Sequence, residues 1–231
     1  MSICNRKEYV LDKNLIKFPA EKYIEHITIR NEEAMLKCNH YFPRTTHLVF
    51  STMFDRSASY LSNMLTNIMP IKHLTNLTLT EWHFSMKQFV HLLNAMSNVQ
   101  VLNFKFNWNV SEQNDIKEIQ QSEIFRNVSK NNRISHLIIN NTFEVETINF
   151  FITLCSQIKH LTLKLYQREY QQSLGFLLLK KQTILPKLCL LQLPCVSIIV
   201  RHNLEIFLKT IKSFDNYYYK WIENDYYIFY Q

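Results

Sequence analysis

The sequence predicts an α/β protein built as a curved solenoid. Short parallel strands should line its concave face, helices should cover the convex face, and an aromatic hairpin should cap the C-terminal end. Three observations carry that expectation. A short apolar frame recurs seven times along the 231 residues, and amphipathic segments with helix punctuation lie between the copies. The single glycine, Gly175, leaves little material for phosphate-cradling loops, dinucleotide turns or nucleophile elbows, which need several residues at positive φ or close to a ligand.

The frame is one apolar residue, two free positions, a second apolar residue, one free position and a third apolar residue. It begins with IEHITI (Ile24, Ile27, Ile29) and a weaker TTHLVF (Thr45, Leu48, Phe50). The most regular copy is LTNLTL (Leu74, Leu77, Leu79), followed by VQVLNF (Val99, Leu102, Phe104) and ISHLII (Ile134, Leu137, Ile139). IKHLTL (Ile158, Leu161, Leu163) and LCLLQL (Leu188, Leu191, Leu193) complete the series. Successive central residues are separated by 21, 29, 25, 35, 24 and 30 positions, a mean of about 27, which is the leucine-rich-repeat period.

Between the copies, DRSASYLSNMLTNIMP places Tyr60, Leu61, Met64, Leu65 and Ile68 at helical spacing before Pro70. In FSMKQFVHLLNAMSN, Ser85 is an expected N-cap and Met86, Phe89, Val90, Leu93 and Met96 form the apolar stripe. EVETINFFITLCSQ repeats the idea through Val145, Ile148, Phe151, Ile152 and Cys155, and NLEIFLKTIKSF through Leu204, Phe207, Leu208 and Ile211. Strands and helices alternating at this period bury their apolar faces only by stacking on neighbouring copies. The expected organisation is therefore a single domain over 1–231: a lead-in or cap at 1–22, about seven irregular repeats over 23–214, and a C-terminal cap at 215–231. A doubly wound α/β domain would want longer strands and glycine-bearing turns.

The HLxL-type strands, the helix running into LLNAMSNVQVLNF, and the pair RISHLIIN and FFITLCSQIKHLTL resemble leucine-rich-repeat proteins of the ribonuclease-inhibitor and F-box kind. More particularly they resemble an uncharacterised invertebrate group of F-box-type repeat proteins, whose aromatic C-terminal end FDNYYYKWIENDYYIFYQ is also similar. The resemblance covers roughly residues 20–231. It implies a partner-binding module, with substrate recognition in a ubiquitin-ligase adaptor and docking on an SCF-type scaffold as its finer reading. No L-P-x-E-type F-box segment stands before the repeats, and the asparagine that ends many such strands is mostly missing.

Cys4, Cys38, Cys155, Cys189 and Cys195 form no C-x-x-C pair, and an odd, scattered set reads as reduced thiols, with Cys155 and Cys189 as core fillers. The opening MSICNRKEYVLDKNL carries charges where a secretory leader needs an apolar run, and no stretch reaches the ~20 apolar residues of a membrane span. A cytoplasmic or nuclear chain is expected, without membrane partners. Sequons at Asn76, Asn109, Asn127 and Asn140 are about what an Asn-, Ser- and Thr-rich chain produces by chance. The net charge of +7 comes from dispersed lysines and arginines, which reads as a solvated surface more than a nucleic-acid footprint.

In each strand, period-two alternation sends the residue between the two later apolar positions, and its neighbours on either side, to the concave face. The expected partner-binding residues are His26, Arg30, His47, Asn76, Thr78, Asn103, Lys105, His136, Asn140, His160 and Lys164. One column across the copies reads His26, His47, Asn76, Val101, His136, His160, Leu190, so two histidine pairs should be neighbours about 4.8 Å apart. Two imidazoles can hold a metal ion, but no Cys, Asp or Glu aligns in that column to finish a tetrahedral site, so neither metal nor cofactor is expected.

No nucleophile stands with a base and an orienting carboxylate, so no enzyme is expected, and the carboxylates at Glu32, Glu33, Glu144 and Glu146 suit helix starts. Tyr217, Tyr219, Trp221, Ile228 and Phe229 suit the cover of a solenoid's last repeat. The expected function is binding a partner protein, as a monomer. The alternative is a basic RNA-binding protein that stacks bases on the tail's aromatic rings and uses surface lysines.

Overall fold

The computed structural model describes residues 8–12, 23–51, 57–81, 85–105, 113–140, 145–164, 172–177, 185–194, 196, 198–210 and 217–230. The chain divides into two compact units, Met1–Arg133 and Ile134–Gln231.

In the first unit, strands β1 (Glu8–Leu11), β2 (His26–Ile29), β3 (His47–Ser51), β4 (Asn76–Glu81) and β5 (Val101–Phe104) form a parallel sheet in chain order. Through the core rows their registers align, so Tyr9, Ile27, Leu48, Leu77 and Leu102 make one row and Leu11, Ile29, Phe50, Leu79 and Phe104 the next, and the β3–β4 register shifts only beyond Phe50, where Ser51 pairs with Glu81. Both rows are buried. Within the expected lead-in, β1 is a further strand of the same sheet.

The second unit places β6 (His136–Ile139), β7 (His160–Leu163) and β8 (Leu190–Leu193) parallel and in chain order. A hairpin follows, β9 (Tyr217–Ile222) and β10 (Asp225–Tyr230), and its second strand pairs antiparallel with β8 while β9 lies outermost. The architecture is thus α/β and mostly parallel.

All three framed positions are buried in all seven copies, including Thr45, which stands in an apolar slot and donates its hydroxyl to the Ile24 carbonyl. Burying a Leu or Ile side chain contributes roughly 1.5–3 kcal/mol. The frame is also longer than the sequence reading gave it. The first apolar N–H donates to the carbonyl three residues earlier at Thr45, Leu74, Val99, Ile158 and Leu188, and Phe42, Met96, Cys155 and Leu185 at that earlier position are themselves buried. A second repeated bond stands at the entry of β3, β4, β5, β7 and β8: two consecutive N–H groups share one carbonyl of the preceding copy. Glu25 serves Thr46 and His47, Thr46 serves Thr75 and Asn76, and Thr75 serves Gln100 and Val101. Ser135 and Lys159 repeat the pattern for Lys159 and His160 and for Cys189 and Leu190. These bonds pin the register before the strand begins.

Helices α1 (Glu32–Leu36), α2 (Ala58–Ile68), α3 (Met86–Ala95), α4 (Gln113–Gln121) and α5 (Glu123–Asn131) belong to the first unit, with a 3-10 turn at Ile71–His73. Side chains of Asn31, Ser57, Ser85 and Ser122 accept bonds from the first-turn N–H groups of α1, α2, α3 and α5. Ser85 forms a full capping box with Gln88. On α3 the expected stripe is buried throughout. On α2 the stripe is rotated: Ala58 is buried, while Tyr60, expected inward, is exposed.

The second unit carries α6 (Val145–Leu154), α7 (residues 172–177) and α8 (Ile198–Thr210). Phe150 and Leu154 join the expected Ile148, Phe151 and Ile152 in burial on α6. Gly175 lies inside α7, where an added Cβ would meet the Phe207 ring of α8 at 3.4 Å. The two helices therefore pack in ordinary van der Waals contact at this point. Ile211 and Glu144 lie outside the described residues.

Candidate functional site

Between the buried rows, alternate side chains emerge on one face of each sheet. In the first unit that face carries Glu8, His26, His47, Asn76 and Val101 in one row and Val10, Thr28, Val49, Thr78 and Asn103 in the next. Arg30 and Lys105 follow at strand exits, both exposed, and their N–H groups donate to the Leu11 and Leu79 carbonyls at 2.9 Å. His26 and His47 are half-buried and stack, ring centroids 3.9 Å apart and planes 22° from parallel. Thr46 Oγ1 lies 2.8 Å from His47 Nδ1. Thr28 departs from the expected exposure: it is 5% exposed, and its hydroxyl donates to Glu8 Oε1 at 2.8 Å. The neighbouring strand β1 covers it.

In the second unit, His136, His160, Leu190, Phe229 and Tyr218 form one row and Ile138, Thr162, Gln192, Tyr227 and Lys220 the next. His136 and His160 meet edge to face, centroids 5.6 Å apart and planes at 78°. Burial first, and the charge of a protonated His160 second, hold the His136 imidazolium below its ordinary pKa of 6.5. From His136 a hydrogen-bonded line crosses four strands. His136 Nε2 lies 3.4 Å from Thr162 Oγ1, Thr162 donates to Gln192 Oε1 at 3.3 Å, and Gln192 Nε2 donates to Asp225 Oδ2 at 2.8 Å and Tyr227 Oη at 3.2 Å. Tyr227 in turn donates to Asp225 Oδ2 at 3.4 Å. Desolvation, and then the Asp225 carboxylate beside it, push the Tyr227 phenol up.

The histidine neighbours expected from sequence are thus brought together as register pairs within each unit. Asn76, Thr78 and Asn103 stand in the half-exposed rows of the first face, and Asn140 and Lys164 stand half-exposed at the ends of β6 and β7. The line through Thr162, Gln192, Asp225 and Tyr227 was missed. The hairpin residues come next to β8 only because β10 is the inner strand, a pairing no local pattern reveals.

Cys155 is buried, and burial pushes its thiol well above the ordinary range. Cys189, expected in the core, is exposed with its Sγ donating to the Lys187 carbonyl at 3.3 Å. It stands just before β8, at one of the two free positions between the buried frame residues Leu188 and Leu191, where strand alternation does not yet apply. Of the aromatic set, Ile228 is fully buried, Tyr217, Trp221 and Phe229 are half-buried, and Tyr219 is exposed. Arg201 lies over the Trp221 ring at 5.0 Å, and Tyr217 donates its hydroxyl to the Leu208 carbonyl, so α8 covers part of the hairpin.

Among the described residues no group of three or more His, Cys, Asp or Glu side chains is arranged to hold a metal ion, and no helix is long and apolar enough to cross a membrane. No protein-family model, characterised protein or solved structure matches the chain.

Proposed function

We propose that this protein is a leucine-rich-repeat solenoid acting as a non-catalytic interaction module, which binds a partner protein through the outward side chains of its strands. The observation that carries this reading is the division of labour within each strand. Twenty-one framed positions are committed to the core, while alternate residues in each unit form rows in which His26, His47, Asn76, Thr78, Asn103, His136, His160 and Gln192 stand among Val49, Val101, Ile138 and Leu190, with Arg30, Lys105 and Lys164 at strand exits. Such rows offer many directional donors and acceptors on rigid backbone, which favours specificity over raw affinity.

Substrate recognition for a ubiquitin-ligase adaptor, in the cytoplasm or nucleus, is the finer form of the proposal. It rests on the resemblance of the repeats and of the aromatic tail. The test is quantitative co-purification from native cells with the wild-type chain and with Arg30, His136, His160 and Lys164 changed to Ala. Loss of the same partners from the variant supports the reading, and their undiminished retention overturns it. An SCF-type scaffold among the retained partners supports the adaptor form.

A second reading, RNA binding, is favoured by one feature of the hairpin: Tyr218 and Lys220 are exposed on the same side of β9, beside Phe229 and Tyr227. Filter binding at low and moderate salt decides it, because association through phosphate contacts weakens steeply with salt. Absent or salt-insensitive association removes this reading.

A further inference from the structure

The two histidine pairs occupy equivalent places in the repeat but differ in geometry. Imidazole lone pairs lie in the ring plane, and the stacked rings of His26 and His47, 3.9 Å apart and 22° from parallel, direct theirs side by side. Rings so placed do not converge on one ion at the ~2.0–2.1 Å that a nitrogen ligand needs. His136 and His160 are splayed instead, at 5.6 Å and 78°. Adding the ring's own radius to the nitrogen–metal distance puts each ring centre roughly 3 Å from a shared ion, so two ligating rings stand up to about 6 Å apart. The second pair falls inside that limit.

We propose that His136 and His160 form a two-imidazole half-site for a divalent first-row transition ion such as zinc or copper, with water completing the coordination. The hydrogen-bonded line behind His136 is the second, independent observation. Both Gln192 Nε2 contacts are donations, to Asp225 and Tyr227, so Oε1 is the atom turned toward Thr162 and accepts its hydroxyl hydrogen. Thr162 has one hydrogen to give, so toward His136 it acts as an acceptor, and Nε2 carries the proton. Nδ1 is then the lone-pair nitrogen. A histidine ligand whose other nitrogen is held by an acceptor line ending in a carboxylate is the usual support of a bound metal, fixing tautomer and ring orientation. Imidazole suits zinc, copper and nickel, and among them copper binds such a site most tightly. Gln192 is a positioning residue: it acts on the ion only through Thr162 and His136. The inference does not depend on the partner-binding reading.

The test is calorimetric titration of the full chain with Zn²⁺, repeated with Cu²⁺, in a non-coordinating buffer near neutral pH, with circular dichroism confirming that each variant is folded. One saturable equivalent is expected. His160→Asn, at an exposed position, and His136→Ala should each weaken it at least ten-fold, while the double variant His26→Asn/His47→Asn keeps it. Gln192→Leu should weaken it about ten-fold and shift the His136 ring ¹⁵N signals from the Nε2–H tautomer toward a mixture. No saturable binding, binding that survives His160→Asn, or binding lost in the His26/His47 variant would overturn the half-site. Unchanged affinity and tautomer in Gln192→Leu would overturn the positioning role.

Discussion

Tyr218 lies flat on Phe229 across the C-terminal hairpin, ring centroids 4.7 Å apart and planes 9° from parallel. The pair is register-matched, so it clamps the two strands on their outward side. Aromatic pairs of this kind contribute about 0.5–1.5 kcal/mol beyond area burial. Tyr218→Ala should lower the urea midpoint by that order, and Phe229→Ala in the Tyr218→Ala background should cost less than it does alone. A double-mutant cycle with no coupling would show the stack to be incidental.

The turn of the same hairpin stores a local cost. Ile222 pairs with Asp225, so Glu223 and Asn224 form a two-residue loop, and Glu223 is held at φ 55°. That region costs a residue with a Cβ roughly 1 kcal/mol and costs glycine little. Glu223→Gly should therefore raise thermal stability, by up to about 1 kcal/mol after the entropy glycine adds to the unfolded chain. A lowered melting temperature would contradict the assignment.

Adjacent residues of β4 should respond very unequally to truncation. Leu77 is fully buried, and Leu77→Ala should cost about 2–5 kcal/mol through lost burial and a residual cavity. Thr78, on the half-exposed face, should change stability by about 0.5 kcal/mol or less on conversion to Ala. Chemical denaturation of the two variants measures the inside–outside alternation directly.

Ser85→Ala removes one half of the α3 capping box, the Oγ that accepts from Gln88 N at 3.2 Å, and leaves the backbone N–H of residue 85 to donate to Gln88 Oε1, as it does at 2.9 Å in the wild type. The loss should be about 0.5–2 kcal/mol. Ser85→Asp should retain most of the stability, because the carboxylate caps as well and suits the helix dipole.

Acid should weaken the fold through His136. Its imidazole is harder to protonate in the folded state than at the ordinary pKa of 6.5, so the unfolded chain takes up the proton first. This group's contribution is fully present above that pH and is lost as the pH falls below it. His136→Asn should flatten the decline in urea midpoint between about pH 7.5 and about pH 5.5. An equal decline in both proteins would exclude the effect.

What could be read from the sequence, and what could not, follows from the range of the interactions. The seven frames were legible because three apolar residues at fixed spacing answer one local demand, burial on a strand entering its sheet. Strand β1 was not, since aligning Tyr9 and Leu11 with the frame puts the charged Arg6 in the first apolar slot. Helices α4 and α5 were passed over for a related reason: α4 reads QNDIKEIQQ, and only Ile116 and Ile119 mark its inner side. Adjacency of the histidine pairs follows from strand spacing. Whether the rings stack or splay depends on side-chain torsions and on neighbours such as Thr46 and Thr162, which strand periodicity does not encode.

Strand order in the second unit departs from chain order at one point, where β10 lies between β8 and β9. Strand β10 is therefore indispensable to the sheet edge of this unit. A chain stopped before Asp225 would lose the inner strand, strand β9 would have nothing to pair with among the described elements, and the edge of β8 would be laid open to other chains. Termination just before Asp225 should thus yield an aggregating protein.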